Sequence, residues 1–388
     1  MKAPLMLQLL TALVVLFGCK ATLSDPDDID DVNGNRKVYN DVVIIQQFQF
    51  ESGAQLEYEG CPSIVAAQDG DIMYTAWYER GRRVPNQVTI AISLDKGKTW
   101  KNNQLVLQPN GATQKISDPA LWQDHNGDIW LFFNSWPFDL PILYASRLTW
   151  DGVRIQYTDP VNIAVGIMLN KPAYVPEKNV ALFPVSVWRH LDVAVFGNVQ
   201  PGAFVRLFDY NRGKKDLDML TPYSIVDGLA DDLWDYDEHQ VVQTSETGGF
   251  LCILRAKDGI HYANSTDYGK TWTPLAPFTA TGLTTYSRFH ISRLQSGNLL
   301  LILNDSATRT HMTAFLSEDG GETWPHRLLI DERRRVSYPD ASQSADGIIH
   351  ITYDRDRDGD RDILYLGIVE NDIIQGNESN IQRIRINP

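Results

Sequence analysis

Ser93-Leu94-Asp95-Lys96-Gly97-Lys98-Thr99-Trp100 is a phrase that this chain states three times. It returns as Ser265-Thr266-Asp267-Tyr268-Gly269-Lys270-Thr271-Trp272 and as Ser317-Glu318-Asp319-Gly320-Gly321-Glu322-Thr323-Trp324. All three copies fit S-x-D-x-G-x-T-W. The Asp can accept from backbone N–H groups just ahead of it and close a tight turn. The Gly supplies positive φ without steric cost. The Trp is a large apolar plug expected to anchor the turn to its own sheet. Such a phrase fixes a hairpin, and hairpins repeated every 40–50 residues or so indicate a propeller or solenoid. Its acidic residues are read as structural.

Working outward from the boxes, the chain is a series of short β-rich runs broken by Asn126-Gly127, Gly248-Gly249, Ser296-Gly297 and Asp346-Gly347 turns, with no long helical period. Blades are expected to start near Pro62, Pro119, Pro172, Glu238, Arg288 and Tyr338. The last has no convincing fourth strand, and the unpartnered run Val42 to Phe50 is available to supply it. The expected fold is therefore all-β: a six-bladed β-propeller closed by an N-terminal strand, over residues 41–388. A single helical turn is expected at Val369 to Ile374.

The N-terminus reads as targeting. Lys2 precedes an apolar run, Leu9 to Phe17, that is too short for a stop-transfer helix. Leu16-Phe17-Gly18-Cys19 resembles a bacterial lipobox, which implies signal residues 1–19, lipidation at Cys19 and an exported, membrane-anchored protein facing the periplasm or cell surface. Residues 20–40 are acidic and read as a solvated tether. The net charge of -14 argues against nucleic acid as a partner. Ten Trp, 16 Tyr and 14 Phe suit a β protein and a sugar-binding surface. Cys61 and Cys252 read as buried thiols, with a disulfide left open.

Asp-boxes on a six-bladed ring in an exported chain resemble the sialidase (neuraminidase) superfamily over roughly residues 42–370. Three further marks carry that resemblance: Asp237-Glu238-His239, with Arg255 seventeen residues after Glu238; Thr308-Arg309-Thr310-His311 before the third box; and Ser337-Tyr338-Pro339-Asp340 opening the last blade. The resemblance implies exo-cleavage of a terminal, acidic sugar by Tyr338 as nucleophile, with Glu238 as its base. Arg255 and Arg309 would grip the substrate carboxylate. No cofactor or metal is implied. The loop Asp354 to Asp362 alternates Asp and Arg and reads as a charged hairpin loop beside the pocket rather than a calcium loop.

The chain also departs from the family. Gly60-Cys61-Pro62 stands where sialidases carry Arg-Ile-Pro. The loop Glu79 to Gln87 lacks the family's acid/base Asp. Glu79 or Asp118 is available for that role, and Arg80, Arg82 or Arg83 for the lost positive charge. Arg288 and His290 alternate onto one face of an inner strand and are expected near the pocket, with His311 and Asp340 flanking it. Trp136 and Trp188 read either as sugar-stacking platforms or as core. A glycan-binding propeller lipoprotein without activity and a polysaccharide lyase are the alternatives.

Overall fold

The computed structural model describes residues 35–67, 70–137, 140–191, 199–212 and 220–388. Cys19 and the signal segment lie outside the described residues. Six antiparallel sheets follow one another along the chain, each starting from an inner strand: Gln55–Ala66, Thr113–Gln123, Ala173–Val175, His239–Ser245, His290–Arg293 and Val336–Gln343. A separate apolar core fills each junction between consecutive blades. Val65, Ile90 and Leu107 of blade one meet Leu121 and Phe133 of blade two. Leu300 and Leu316 of blade five meet Ile351 and Leu366 of blade six. Ile64, Met73, Trp77 and Ala91 of blade one pack on Ile363, Tyr365 and Ile386 of blade six, and this last junction closes the ring.

The closure differs from the sequence expectation. Val42–Gln46 does not join blade six. It pairs antiparallel with Lys101–Pro109, the outer strand of blade one, with Ile44 opposite Leu107. Arg36–Val38 extends that sheet to six strands, so the sheet begins inside the segment read as tether. The reason is burial: Val42 and Ile44 complete the core between blades one and two. Blade six takes its fourth strand from the C-terminal tail, Ile384–Arg385, too short to show a period. Asn102 Nδ2 donates to the Ile386 carbonyl (2.9 Å), and Asn387 Nδ2 donates to Glu59 Oε1 (2.8 Å), so the tail ties blade six to blade one.

The three boxes are built alike. In each, the Ser hydroxyl donates to Asp Oδ1 at 2.8–2.9 Å. The Thr N–H donates to the same oxygen at 2.8–2.9 Å, and the Thr hydroxyl to Oδ2 at 2.5–2.7 Å. The tryptophans, however, anchor to the preceding blade rather than their own. Trp100 meets Tyr365 of blade six edge-on, Trp272 donates to Ser224 of blade three, and Trp324 meets Phe278 of blade four. A Cβ on Gly97 (φ +81°) would lie 2.3 Å from the Tyr365 ring, so the turn must carry Gly where the two blades touch. Cys61 and Cys252 are buried free thiols. The expected terminal turn is the helix Glu370–Gln375.

Candidate functional site

Three inner strands break at the same place in the same way. Cys61-Pro62, Asp118-Pro119 and Tyr338-Pro339 each sit in a β-bulge of blades one, two and six. The residue before each proline has left-handed backbone: φ is +56° at Cys61, +52° at Asp118 and +54° at Tyr338. Non-glycine residues hold this conformation at a cost of about 1–3 kcal/mol, and only where their surroundings impose it. Arg288 is one imposing group. Its guanidinium donates to the carbonyls of Leu169 (3.0 Å), Pro62 (2.7 Å) and Tyr338 (3.2 Å). Asp354 is the other: it accepts from the Cys61 N–H (2.8 Å) and the Ser337 hydroxyl (2.7 Å).

These bulges re-aim side chains toward one centre. The Tyr338 hydroxyl donates to Glu238 Oε1 at 2.6 Å. Arg255 Nη1 donates to the Tyr338 oxygen (2.6 Å) and to Glu238 Oε2 (2.7 Å). All three side chains are buried. Burial is the largest influence on the Tyr338 phenol and raises its pKa; Arg255 opposes and Glu238 adds to the rise. Tyr338 is therefore a neutral phenol at rest, hydrogen-bonded to a carboxylate able to take its proton. Burial acts against the Arg255 charge, but Glu238 and the Tyr338 oxygen outweigh it. The Tyr286 ring packs against this guanidinium, 3.8 Å from ring centre to Cζ.

Four guanidiniums surround the Tyr338 ring: Arg357 at 3.8 Å, Arg288 at 4.9 Å, Arg309 at 5.4 Å and Arg255 at 5.9 Å. Arg357 is the residue that the sequence reading missed. It leaves the blade-six loop and lies across Gly60, where any Cβ would come within 2.9 Å of its side chain. Arg357 thus brings a cation to Gly60, where the resemblance implies an arginine, and Gly60 leaves the room. The signal was present as two facts read separately, a glycine at the vacant position and arginines in the 354–362 loop. That loop's charges pair as expected: Arg335 with Asp356 and Asp358, Arg355 with Asp360 and Asp362, and Arg357 with Asp354.

A cavity of about 700 Å³ opens beside this centre, lined by Arg80, Arg309, Arg334, Arg335 and Arg357 with Tyr58, Thr308, Thr310, Ser337 and Asp358. Arg80 and Arg309 thus both line the cavity, and Arg309 makes a long 3.5 Å bond to the Tyr286 carbonyl. Arg83 instead donates to the Ser52 carbonyl, away from the cavity.

Of the two acid/base candidates, Asp118 belongs to the centre. Burial raises its pKa most, Lys115 and the Ser117 hydroxyl (2.8 Å) oppose, and the charge on Glu238 adds to the rise. A carboxyl shifted in this direction holds its proton more tightly than an ordinary aspartate. Glu79 does not belong there. It is 1% exposed and saturated by Trp77 Nε1 (3.2 Å), Gln87 Nε2 (2.5 Å) and Thr89 Oγ1 (2.6 Å) inside blade one.

Other expectations are corrected. Arg288 and His290 do not face the pocket. The Arg288 Nη donors are held by backbone carbonyls, and His290 is buried between Asp340 Oδ1 (3.0 Å) and the Ser292 hydroxyl (2.9 Å). Asp340 also accepts from Lys171, Ser63 Oγ (2.6 Å) and the Ile64 N–H (2.9 Å), a polar hub joining blades one, three, five and six along the ring's axis. Burial alone would raise the Asp340 pKa, but Lys171 and His290 hold it below its ordinary value. His311 is exposed and lines a different depression, with Asp305 and Arg327. Trp136 and Trp188 are core: 4% and 7% exposed, they pack with Cys61, Leu169 and Tyr338, and Lys115 caps the Trp136 ring at 3.7 Å.

A family model described as a BNR repeat-like domain matches residues 71–351. No curated protein sequence matches the chain. Among solved structures, a Hadza microbial sialidase aligns at 18% identity over 82% of this chain and 66% of its own, with a TM-score of 0.59. A protein of unknown function from Dyadobacter fermentans aligns at 18% identity over 81% and 94%, with the same TM-score of 0.59. A mutant NanB sialidase from Streptococcus pneumoniae aligns at 13% identity over 84% and 71%, with a TM-score of 0.56. At these identities the likeness is one of fold.

Proposed function

The chain belongs to the BNR repeat-like domain family, and on that footing we propose that it is an exo-acting, sialidase-like glycoside hydrolase that removes a terminal acidic sugar from a glycan. One observation carries the reading: a buried tyrosine hydroxyl lies 2.6 Å from a glutamate carboxylate and 2.6 Å from an arginine Nη1. In the first step the Tyr338 oxygen bonds to the anomeric carbon as the glycosidic C–O bond breaks. Glu238 takes the phenolic proton and Asp118 protonates the departing oxygen. In the second step Asp118 deprotonates a water that attacks the same carbon, and Tyr338 leaves with the proton from Glu238. Two displacements retain the anomeric configuration. A neutral phenol suits an anionic sugar because it adds no charge repulsion on approach, and Arg309 and Arg357 would hold the sugar's carboxylate. Arg255 stabilises the charge on Glu238 and the phenolate character that develops on Tyr338. Export and a lipid anchor at Cys19 belong to the same reading, placing the enzyme where extracellular glycans arrive.

The test is a panel of 4-methylumbelliferyl glycosides of sialic and uronic acids, with products identified by mass spectrometry. Cleavage that disappears in Tyr338→Phe supports the proposal. The second reading is a glycan-binding propeller without activity. It is favoured by the low exposure of Tyr338 (5%) and by the absence of Glu238 and Asp118 from the cavity wall. Tight glycan binding with no product after long incubation would select it.

A further inference from the structure

The arginines around the cavity outnumber what one sugar carboxylate needs. Arg335 is matched by Asp356 and Asp358, and Arg357 by Asp354. Arg80, Arg309 and Arg334 have no carboxylate partner among the described residues, and all three line the same cavity. This happens in a chain whose net charge is -14, so the cluster runs against the composition. Every cation in the wall is arginine rather than lysine. The planar guanidinium fork matches the oxygens of carboxylates, sulfates and phosphates two at a time.

Arg309 and Arg80 lie at different points of the cavity wall. Arg309, together with Arg357, lies against the Tyr338 ring. Arg80 lies over the Tyr58 ring at 5.3 Å, and Tyr58 in turn accepts from Arg357 Nη1 at 3.3 Å. Arg334 is exposed in the turn between His326–Asp331 and Val336–Gln343. A single carboxylate at Arg309 and Arg357 leaves Arg80 and Arg334 without an anion, and a cavity of about 700 Å³ is within the size range of sites that enclose a whole ligand.

We infer that the cavity recognises a glycan carrying two anionic groups, one at Arg309 and Arg357 and a second at Arg80 and Arg334. This rests on the hydrolase reading only in placing a glycan here. The second group is a sulfate ester or the carboxylate of a neighbouring acidic sugar, since both present paired anionic oxygens.

Calorimetric titration of the full chain with three probes tests it: the methyl glycoside of N-acetylneuraminic acid, the same glycoside bearing one sulfate ester, and a disaccharide of two such carboxylate sugars. At least one dianionic probe is expected to bind roughly tenfold tighter than the monoanion, the size of one added charge-assisted contact. Whichever gains identifies the second group. Arg80→Ala and Arg334→Ala should bring the probes to equal affinity, while their unchanged melting temperatures show that the fold is intact. Higher salt should shrink the difference. Equal affinities in the native chain, no binding of any probe at millimolar concentration, or a preference that survives both substitutions would overturn the inference. Glycoside cleavage without a dianion preference would sink this inference and leave the hydrolase standing. Dianion-selective binding without any product would do the reverse.

Discussion

Asp237, next to the proposed base Glu238, offers the sharpest quantitative test of the site's electrostatics. It is fully buried, and neither of its carboxylate oxygens has a hydrogen-bond partner among the described residues. Burial pushes its pKa from 3.8 up to about 7; Arg189 and the Asp235 N–H pull the other way, but neither is in bonding geometry. Because the folded state holds this proton more tightly than the unfolded chain, stability is greatest below the unfolded value and falls as pH rises from about 4 to about 7. Ionising a carboxyl held near 7 instead of near 4 costs about 4 kcal/mol in full, and about 3 kcal/mol of that falls between pH 5 and 8. Asp237→Asn keeps the shape and removes the charge. It should stabilise the protein by about 4 kcal/mol at pH 8 and by about 1–2 kcal/mol at pH 5. Glu59, whose pKa burial also raises to about 7, should leave a residual slope of the same sign in the variant. Urea midpoints at pH 5, 6.5 and 8 measure this. Equal midpoints at pH 8, or parallel pH slopes for the two proteins, would refute the reasoning.

Asp118→Asn should lower cleavage of glycosides with poor leaving groups by about 10²–10⁴-fold, yet spare aryl glycosides whose leaving oxygen needs no proton; comparing kcat on both substrate types checks this. Arg288→Met removes the clasp on three carbonyls and should destabilise the fold by about 3–5 kcal/mol, read as a lower denaturant midpoint. Asp319→Ala opens the third box and should cost about 1 kcal/mol. The Asp319 pKa is held down to about 2, first by the Thr323 hydroxyl, so the native box contributes fully above about pH 4 and fades toward pH 2, a slope that Asp319→Asn should lessen.

The repeated phrase was legible because its turn is local: Ser, Asp, Gly and Thr bond within six residues. Blade order followed from it. The closing strand was not legible. Val42–Gln46 satisfies the edge of either blade by pattern alone, and the two-residue strand Ile384–Arg385 has no period. Glu238, Arg255, Arg309 and Tyr338 could be placed because each sits at a fixed offset from a strand start or a box. Arg357 could not, because its role depends on a loop crossing another blade at Gly60. The position of Asp118 was within reach. Cys61, Asp118 and Tyr338 all precede proline in an inner strand, a repeat within the repeat. Strand alternation alone sent Arg288 and His290 to the pocket, but backbone carbonyls hold Arg288 and the buried hub around Asp340 holds His290; alternation gives the face of a strand but not the depth along the ring's axis.

The most direct test is mass spectrometry of the tryptic peptide containing Tyr338 after exposure to activated fluoroglycosides of acidic sugars, which slow the second displacement. A glycosyl adduct on the Tyr338 oxygen, absent in Glu238→Gln and in Tyr338→Phe, is the predicted result. Turnover of ordinary glycosides with Tyr338 unmodified, or an adduct on any other side chain, would contradict the account.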